Sequence, residues 1–595
     1  MTTYVAPTRD MLFAMNELAG LAAIAALPGN EEATPDLVEA ILEEAAKFAT
    51  EVLAPINAQG DRQGCTCKDG AVTTADGFQA AYGKFVESGW NAMPASPEFG
   101  GQGLPSLIST AVLEMWKASN MAFSLCQMLT LGAVAALENH GSDRDKQRYL
   151  PKMVSGEWTG TMNLTESQAG SDLSAVRTKA EPEGDHYRIT GTKIFITWGE
   201  HDMAENIIHM VLARLPDAPE GTKGISLFVV PKFLVNADGS LGRRNDLVCA
   251  SIEHKMGIHG SPTAVMAFGE NEGAIGYLVG EANRGLACMF TMMNHARLNV
   301  GLEGVAISER AYQQALGFAR ERVQSRPIGA TSGGPVAIIR HPDVRRMLMN
   351  MKARIEAMRA LAYFTAAQMD TAHSHPDASE RAKHQAMTDL LTPVVKGWCT
   401  ENALDITSTG IQVHGGVGFI EETGACQHMR DARITTIYEG TTGIQANDLI
   451  GRKVARDQGA AVKLLLAEMN DTLAALEAAG DNELKVIAGS LLGGTLALEK
   501  STDWLLATYD QDPASAAAGA VPYLKLFGTV TGGWLMARAA LVAMKMLESP
   551  DADFYRAKKI TARFYAEHVL PEAQVYREAI VSGAGSVLAL DETMF

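Results

Sequence analysis

Residues 162–172 read Met162-Asn163-Leu164-Thr165-Glu166-Ser167-Gln168-Ala169-Gly170-Ser171-Asp172, and the character of the chain changes around them. Upstream, apolar residues recur at helical spacing over 35–53, 78–90, 106–139 and 143–154. The glycine-rich segment from Pro97 to Pro105 is a loop between two of these runs. Downstream, short strand-like runs take over at 187–190, 193–197, 207–212, 225–230, 263–268 and 275–279. Turn residues separate them, as in Glu183-Gly184-Asp185 and Asn271-Glu272-Gly273. From about residue 284 the helical period returns, over 284–324, 341–369, 380–409 and 425–454, with a long loop at 326–335. Residues 456–595 form a further helical block, with breaks expected at Gly493-Gly494 and Gly532-Gly533. Helices, then strands, then helices predict an α+β chain and not a doubly wound sheet. The expected domains are N-terminal helical (1–157), a middle antiparallel β-barrel or sandwich (158–283), a C-terminal four-helix bundle (284–455) and an extra helical domain (456–595).

Three further stretches carry candidate chemistry. In Gly191-Thr192-Lys193-Ile194-Phe195-Ile196-Thr197-Trp198-Gly199, strand alternation places Phe195 and Thr197 on one face and Trp198 on the other. Gln412-Val413-His414-Gly415-Gly416-Val417-Gly418-Phe419 is rich in glycine but lacks the spacing and preceding strand of a dinucleotide fingerprint. Residues 434–450 hold one carboxylate, Glu439, among apolar and small residues, with Gly440, Thr441 and Thr442 directly after it. Desolvation there would raise its pKa and suit it to act as a base near neutral pH. Each stretch alone also reads as ordinary turn and strand chemistry, and Glu439 as a partly exposed residue at a helix start capped by Thr441 and Thr442.

The bulk numbers narrow the function classes. The chain has 595 residues, 47% hydrophobic and 20% charged, enough for several packed domains. Its net charge of −18 argues against a nucleic-acid partner. The seven cysteines are odd in number and scattered; Cys65 and Cys67 have no second pair to complete a zinc site, so no metal is expected. They read as reduced thiols of a cytoplasm-like compartment. Residues 18–27 imitate the apolar core of a signal peptide, but Asp10 and Glu17 stand where positive charge belongs, so a packed helix is expected. No uncharged run reaches 18 apolar residues, so no integral membrane segment is expected; 526–544 reads as a buried helix interrupted by Arg538.

The stretches gain meaning in combination. Thr165-Glu166 with Ala169-Gly170-Ser171-Asp172, Gly191-Thr192-Lys193 with Phe195-Ile196-Thr197, Gln412 with His414-Gly415-Gly416, and Arg430-Asp431-Ala432-Arg433 followed by Ile437-Tyr438-Glu439-Gly440-Thr441 resemble, in order and spacing, the acyl-CoA dehydrogenase family. The resemblance covers roughly residues 35–455. It implies FAD as cofactor and an acyl-CoA as substrate. Glu439 matches the catalytic base. Thr165 and Ser171 match residues beside the flavin ring, Thr197 a hydroxyl near its edge, and Phe195 stands where many members have Trp. Arg322, Gln412, Gly415 and Gly416 match contacts to FAD across a subunit interface, which implies a homodimer, and Thr441 is a further cofactor contact. Ser325 replaces a usual aromatic and Gly443 a frequent Gln, so those two contacts are expected to be lost. Ser171, Gly440 and Arg297 are the implied substrate contacts; Arg297 also reads as an ordinary helix salt bridge. A family branch with its base on an earlier helix is excluded here, because Ala296 holds that position.

The implied reaction forms a 2,3-enoyl-CoA. The Glu439 N–H and a ribityl hydroxyl polarise the thioester oxygen, Glu439 takes the α-proton, and a β-hydride passes to flavin N5. Electrons then go to an electron-transfer flavoprotein. The C-terminal block and the run Gly156-Glu157-Trp158-Thr159-Gly160-Thr161-Met162 resemble two cytoplasmic bacterial branches. These are the 3-methylmercaptopropionyl-CoA dehydrogenases, which form methylthioacryloyl-CoA in dimethylsulfoniopropionate degradation, and the medium- or long-chain FadE-type enzymes of fatty-acid β-oxidation. The first is preferred. Met289, Met292 and Met293 suit a thioether pocket, or simply fill gaps in a helical core. An acyl-CoA oxidase and a non-catalytic acyl-CoA-binding paralogue remain as other readings; Glu439 argues against the latter.

Overall fold

The computed structural model describes residues 4–595, so residues 1–3 of the expected N-terminal block lie outside the described residues. The chain forms two compact units. One comprises Lys47–Leu104 and Met115–Asn299, the other Met1–Ala46, Pro105–Glu114 and Val300–Phe595.

The first of these holds the strands. They are β1 (Trp158–Asn163), β2 (Lys179–Glu183), β3 (His186–Thr197), β4 (Asn206–Arg214), β5 (Ile225–Pro231), β6 (Leu247–Ile252), β7 (Thr263–Phe268) and β8 (Ala274–Val279). They form one eight-stranded sheet in the order β6-β7-β3-β8-β5-β4-β1, with β2 joined to β3 and β4. The expected purely antiparallel barrel needs correction, because β1 runs parallel to β4 in register from Trp158 opposite Asn206 to Asn163 opposite Val211. The physical reason is connectivity: the β2–β3 hairpin lies between them and supplies the crossover that a parallel pair requires. Strand β3 is continuous where the sequence suggested two, and it hands over from β8 to β7 near Gly191. Between Ala264 and Met266 the β3–β7 register shifts, which leaves one extra residue on β3 in the span from Lys193 to Ile196. The same unit has two small ribbons, Phe233–Val235 with Leu241–Arg244, and Thr66–Lys68 with Ala71–Thr73 inside the block read as helical. Asp69 and Gly70 at the tip of the latter have φ of 50° and 77°, the Asp-Gly turn that favours such a hairpin. Helix α1 (Met121–His140) is buried along most of its length and backs onto β1. Gly160 permits that approach: a Cβ there would lie 2.5 Å from Ala133 Cβ. The long run expected over 106–139 is cut at Asn120, whose side chain caps α1 through the Phe123 N–H at 3.1 Å.

The other unit is helical. Its long elements are α2 (Gly285–Glu321, of which the part from Val300 belongs here), α3 (Pro342–Ser374), α4 (Ala378–His414), α6 (Asn482–Tyr509), α7 (Ala520–Lys545) and α8 (Ala552–His568), with the short α5 (Thr442–Asn447) between α4 and α6. The expected four-helix bundle within 284–455 is also corrected. Only three long helices come from that range among the described residues; 425–455 folds into short helical pieces around a left-handed turn at Glu439 and Gly440. The fourth place is taken by α7, which packs on α3 and α4. Glycines make the contacts close. A Cβ on Gly304 would sit 2.6 Å from the Cys399 carbonyl oxygen, and one on Gly528 would sit 2.1 Å from Trp398 Cγ. The expected breaks at Gly493-Gly494 and Gly532-Gly533 do not occur, since α6 and α7 run straight through them. Those glycines serve packing: Gly533 faces Leu570 and Gly532 faces Trp398 and Tyr565. The apolar run near the N-terminus packs into this unit, with Leu18, Leu21 and Ile24 buried. Helices α1 and α7 are long and apolar enough to cross a bilayer, but 89% and 83% of their apolar windows are buried inside the protein, as expected of core helices.

Candidate active site

In the strand-bearing unit, the loop after β1 is pinned from within. Glu166 is buried, and its Oε1 accepts from Lys193 Nζ at 2.8 Å and from Thr178 Oγ1 at 2.6 Å; its Oε2 accepts from the Arg177 N–H at 2.7 Å. Burial opposes this carboxylate, but Lys193 and the hydrogen bonds win and hold it down to about 2. Burial dominates at Lys193 and lowers it to about 8 despite Glu166. The Ile194 N–H donates to the Thr165 carbonyl oxygen at 2.9 Å, which fastens Thr165 beside the β3 bulge. Phe195 lies in the bulge at φ 59° and is 59% exposed. A bulge re-aims a side chain in this way. Trp198 is fully buried and stacks on Phe78, while Thr197 is partly exposed. Thr165 and Thr197 are partly exposed and Phe195 is exposed, and Ser171 is exposed on the same loop as Thr165.

Arg297 is buried in this unit with its guanidinium 6.0 Å from the Phe290 ring. Met289 and Met292 are fully buried, and Met292 packs against Gly132 of α1, which is gap-filling. An open cleft of about 350 Å³ lies at the start of α2, lined by Thr222, Lys223, Asn283, Arg284, Leu286 and Ala287.

In the helical unit, Glu439 sits at φ 54° and Gly440 at φ 86°. A left-handed non-glycine residue is strained and persists only where its surroundings fix it. Here they do. The Tyr438 hydroxyl donates to the Glu303 carboxylate. Gln445 Nε2 donates to the Glu439 carbonyl oxygen at 3.0 Å, and buried Lys396 Nζ to that of Gly440 at 2.6 Å. Thr441 caps α5 through the Ile444 N–H at 3.3 Å, and Thr442 Oγ1 donates to Glu401 at 2.7 Å. The left-handed φ favours glycine at 440, and a Cβ there would fall 2.6 Å from Gln445 Nε2 and disturb its bond to the Glu439 carbonyl. Glu439 itself is half-buried.

At the far end of α2 and α4, Phe318 and His414 stack with ring centroids 4.6 Å apart. This brings Arg322, one turn beyond Phe318, toward Gln412, Gly415 and Gly416; all four are exposed. No atom lies within 4 Å of where a Cβ on Gly415 or Gly416 would be, so the backbone there is open to a ligand. Large apolar residues in this unit are exposed, Ile328 at 85% and Phe419 at 83% among them.

Family models match the chain in this order: acyl-CoA dehydrogenase N-terminal domain over 35–157, middle domain over 161–270 and C-terminal domain over 283–455. The chain belongs to the acyl-CoA dehydrogenase family. A further model, acetyl-CoA dehydrogenase C-terminal like, matches 465–591 of this dehydrogenase. A 3-methylmercaptopropionyl-CoA dehydrogenase of Ruegeria pomeroyi is 48% identical over 98% of this chain and 99% of its own. The broad-specificity linear acyl-CoA dehydrogenase FadE5 of Mycobacterium tuberculosis is 34% identical over 100% of both. A solved acyl-CoA dehydrogenase of Bacillus anthracis, complexed with FAD, covers 96% of this chain and 91% of its own at 20% identity, with a TM-score of 0.73. That last likeness speaks for the fold.

FAD is the cofactor of acyl-CoA dehydrogenases, and the residues of this one fit it. Thr165, Ser171 and Thr197 offer at least partly exposed hydroxyls and Phe195 an exposed aromatic face, and the Gly415-Gly416 backbone is bare enough for a diphosphate to lie against. Reading the sequence did not single out Glu166, Lys193, Glu303, Lys396, Glu401 or Gln445 as supports. Glu166 and Lys193 lie inside the motifs around 162–172 and 191–199, and Gln445 inside the 434–450 stretch; Glu303, Lys396 and Glu401 carry no local signal, since they reach the turn from two other helices, α2 and α4.

Proposed function

We propose that this dehydrogenase oxidises short acyl-CoA thioesters, 3-methylmercaptopropionyl-CoA foremost, to the 2,3-enoyl-CoA, with Glu439 as the base. The identity of 48% across nearly the whole of both chains, C-terminal segment included, carries the choice of substrate. The posture of Glu439 supports its role: a carboxylate on a strained, many-times-clamped turn is held for a geometric task. Glu439 takes the proton from the thioester α-carbon, and its own backbone N–H polarises the thioester oxygen. FAD, when bound, supplies the two-electron acceptor for the β-hydrogen. Thr165, Ser171, Phe195, Thr197 and Thr441 orient it, and Arg297 and Gly440 support the substrate. Lys223, Arg284 and the start of α2 give the cleft there a cationic character suited to CoA phosphates.

The working unit is a homodimer in the bacterial cytoplasm. A second copy covers Ile328, Phe419 and neighbouring apolar residues, and Arg322 with Gln412–Gly416 completes the partner's FAD site. The electron acceptor is an electron-transfer flavoprotein.

A second reading, a FadE-type enzyme of longer linear acyl chains, draws on the full-length match to FadE5. Steady-state kinetics with C4, C8 and C16 acyl-CoAs and the thioether substrate separates the two. Each methylene seated in an apolar pocket is worth about 0.8 kcal/mol, roughly fourfold in kcat/KM. We expect the C4 and thioether substrates to exceed C16; kcat/KM rising steadily from C4 to C16 decides for the second reading.

A further inference from the structure

The Glu401 carboxylate on α4 is shared between two distant segments. One oxygen accepts from Thr442 Oγ1 at 2.7 Å, and the other lies 3.2 Å from Lys525 Nζ. Thr442 opens α5, two residues after Gly440 and three after Glu439. Lys525 belongs to α7, in the C-terminal segment that a separate family model matches. The other supports of the turn (Glu303, Lys396 and Gln445) all come from 283–455. Helix α5 also packs directly on α7, and Lys525 adds a charged tether from the extension to the residue that opens α5.

We propose that Lys525 is a positioning residue for the catalytic turn, acting through Glu401 and Thr442. This gives the C-terminal segment a part in catalysis beyond packing. The proposal rests on Glu439 being the base. Its physical basis is over-determination. Glu439 and Gly440 are both left-handed, and the turn relaxes if its supports weaken. With Lys525 removed, Glu401 loses its only described cationic partner and, being 26% exposed, can swing toward water. Thr442 then loses a fixed acceptor, and the start of α5 shifts. The ion pair itself adds little to global stability, because Lys525 is 34% exposed and the pair is screened. The effect therefore falls on rate, where a misplacement of about 1 Å can cost on the order of a hundredfold.

The test uses the full-length FAD-loaded protein and anaerobic stopped-flow reduction by butyryl-CoA. Four variants are compared with wild type: Lys525→Met, Lys525→Arg, Glu401→Gln and the double variant Lys525→Met/Glu401→Gln. Lys525→Met is expected to lower the limiting rate of flavin reduction about tenfold, with substrate Kd changed less than about twofold and FAD retained. Lys525→Arg should recover the rate to within about threefold, and the double variant should be no slower than Glu401→Gln alone. A limiting rate for Lys525→Met within about twofold of wild type overturns the proposal. So does a loss of rate that merely tracks FAD loss, or one that Lys525→Arg does not restore. Glu439→Gln is run in parallel. If it reduces flavin at near wild-type rate, the base assignment fails and the proposal with it. If it is inactive while Lys525→Met is unimpaired, the base assignment stands and this proposal alone falls.

Discussion

Lys193 on β3 and Glu166 on the loop after β1 form a buried ion pair, Nζ to Oε1 at 2.8 Å, next to Thr165 and two residues from Phe195, both proposed flavin contacts. Lys193 is wholly inaccessible and Glu166 is 5% exposed. Removing one member of such a pair strands the other charge in a site that solvent cannot reach. Lys193→Met should therefore destabilise the strand-bearing unit by about 3 kcal/mol, at the low end for a broken buried pair because Thr178 and Arg177 still serve Glu166. Urea unfolding followed by tryptophan fluorescence reads this, and FAD affinity should fall with it. A loss under about 1 kcal/mol refutes the pair's importance.

The same pair sets an acid limit. Glu166 is held at about 2 in the fold, against an ordinary glutamate value of 4.5. A depressed carboxylate contributes stability that is fully present above pH 4.5 and lost as pH falls toward 2. Wild-type stability should drop across that window by about 3 kcal/mol more than that of Glu166→Gln. Parallel slopes for the two proteins in thermal melts would falsify the assignment.

Glu439→Gln should keep the fold and bind FAD, yet lose the rate of flavin reduction by at least two to four decades, the usual contribution of a general base. Anaerobic bleaching of the flavin band by substrate measures it. A rate within about tenfold of wild type means another group takes the proton.

Phe419→Asp puts a charge on a residue that is 83% exposed in the single chain. If a second copy covers it, light scattering should show a shift from dimer to monomer, with FAD occupancy falling in step. An FAD-loaded, active monomer would refute shared sites.

Gly528→Ala tests the seat of the C-terminal segment. The new methyl would meet Trp398 Cγ at 2.1 Å, so the indole must move. Overpacking costs about 1–3 kcal/mol, while alanine regains up to about 1 kcal/mol of helix propensity. The net expectation is a loss of about 1 kcal/mol and a lower Tm in calorimetry. An unchanged or raised Tm would show that α7 seats more loosely than the contact implies.

The sequence by itself determined the α+β class, the three long helices between 284 and 414 to within about five residues, most strands of the middle sheet and the family. Those features are local: periodicity reports which face of a segment is buried, and the motifs sit in consecutive residues. Tertiary structure decided what periodicity cannot carry. The parallel β1–β4 pair depends on where a hairpin crosses over. Helix α7 fills the fourth place beside α3 and α4 because Gly397 and Gly528 let it meet Leu524 and Trp398 closely, and the same glycines-as-contacts rule carried α6 and α7 through positions that read as breaks. The exposure of Phe195 comes from a one-residue bulge, invisible to alternation. The site divides the same way. Glu439 could be proposed as the base from sequence because it lies inside a motif. Its supports were not, because Glu303, Lys396, Glu401 and Lys525 stand on three different helices, and only the folded chain brings their charges to one turn.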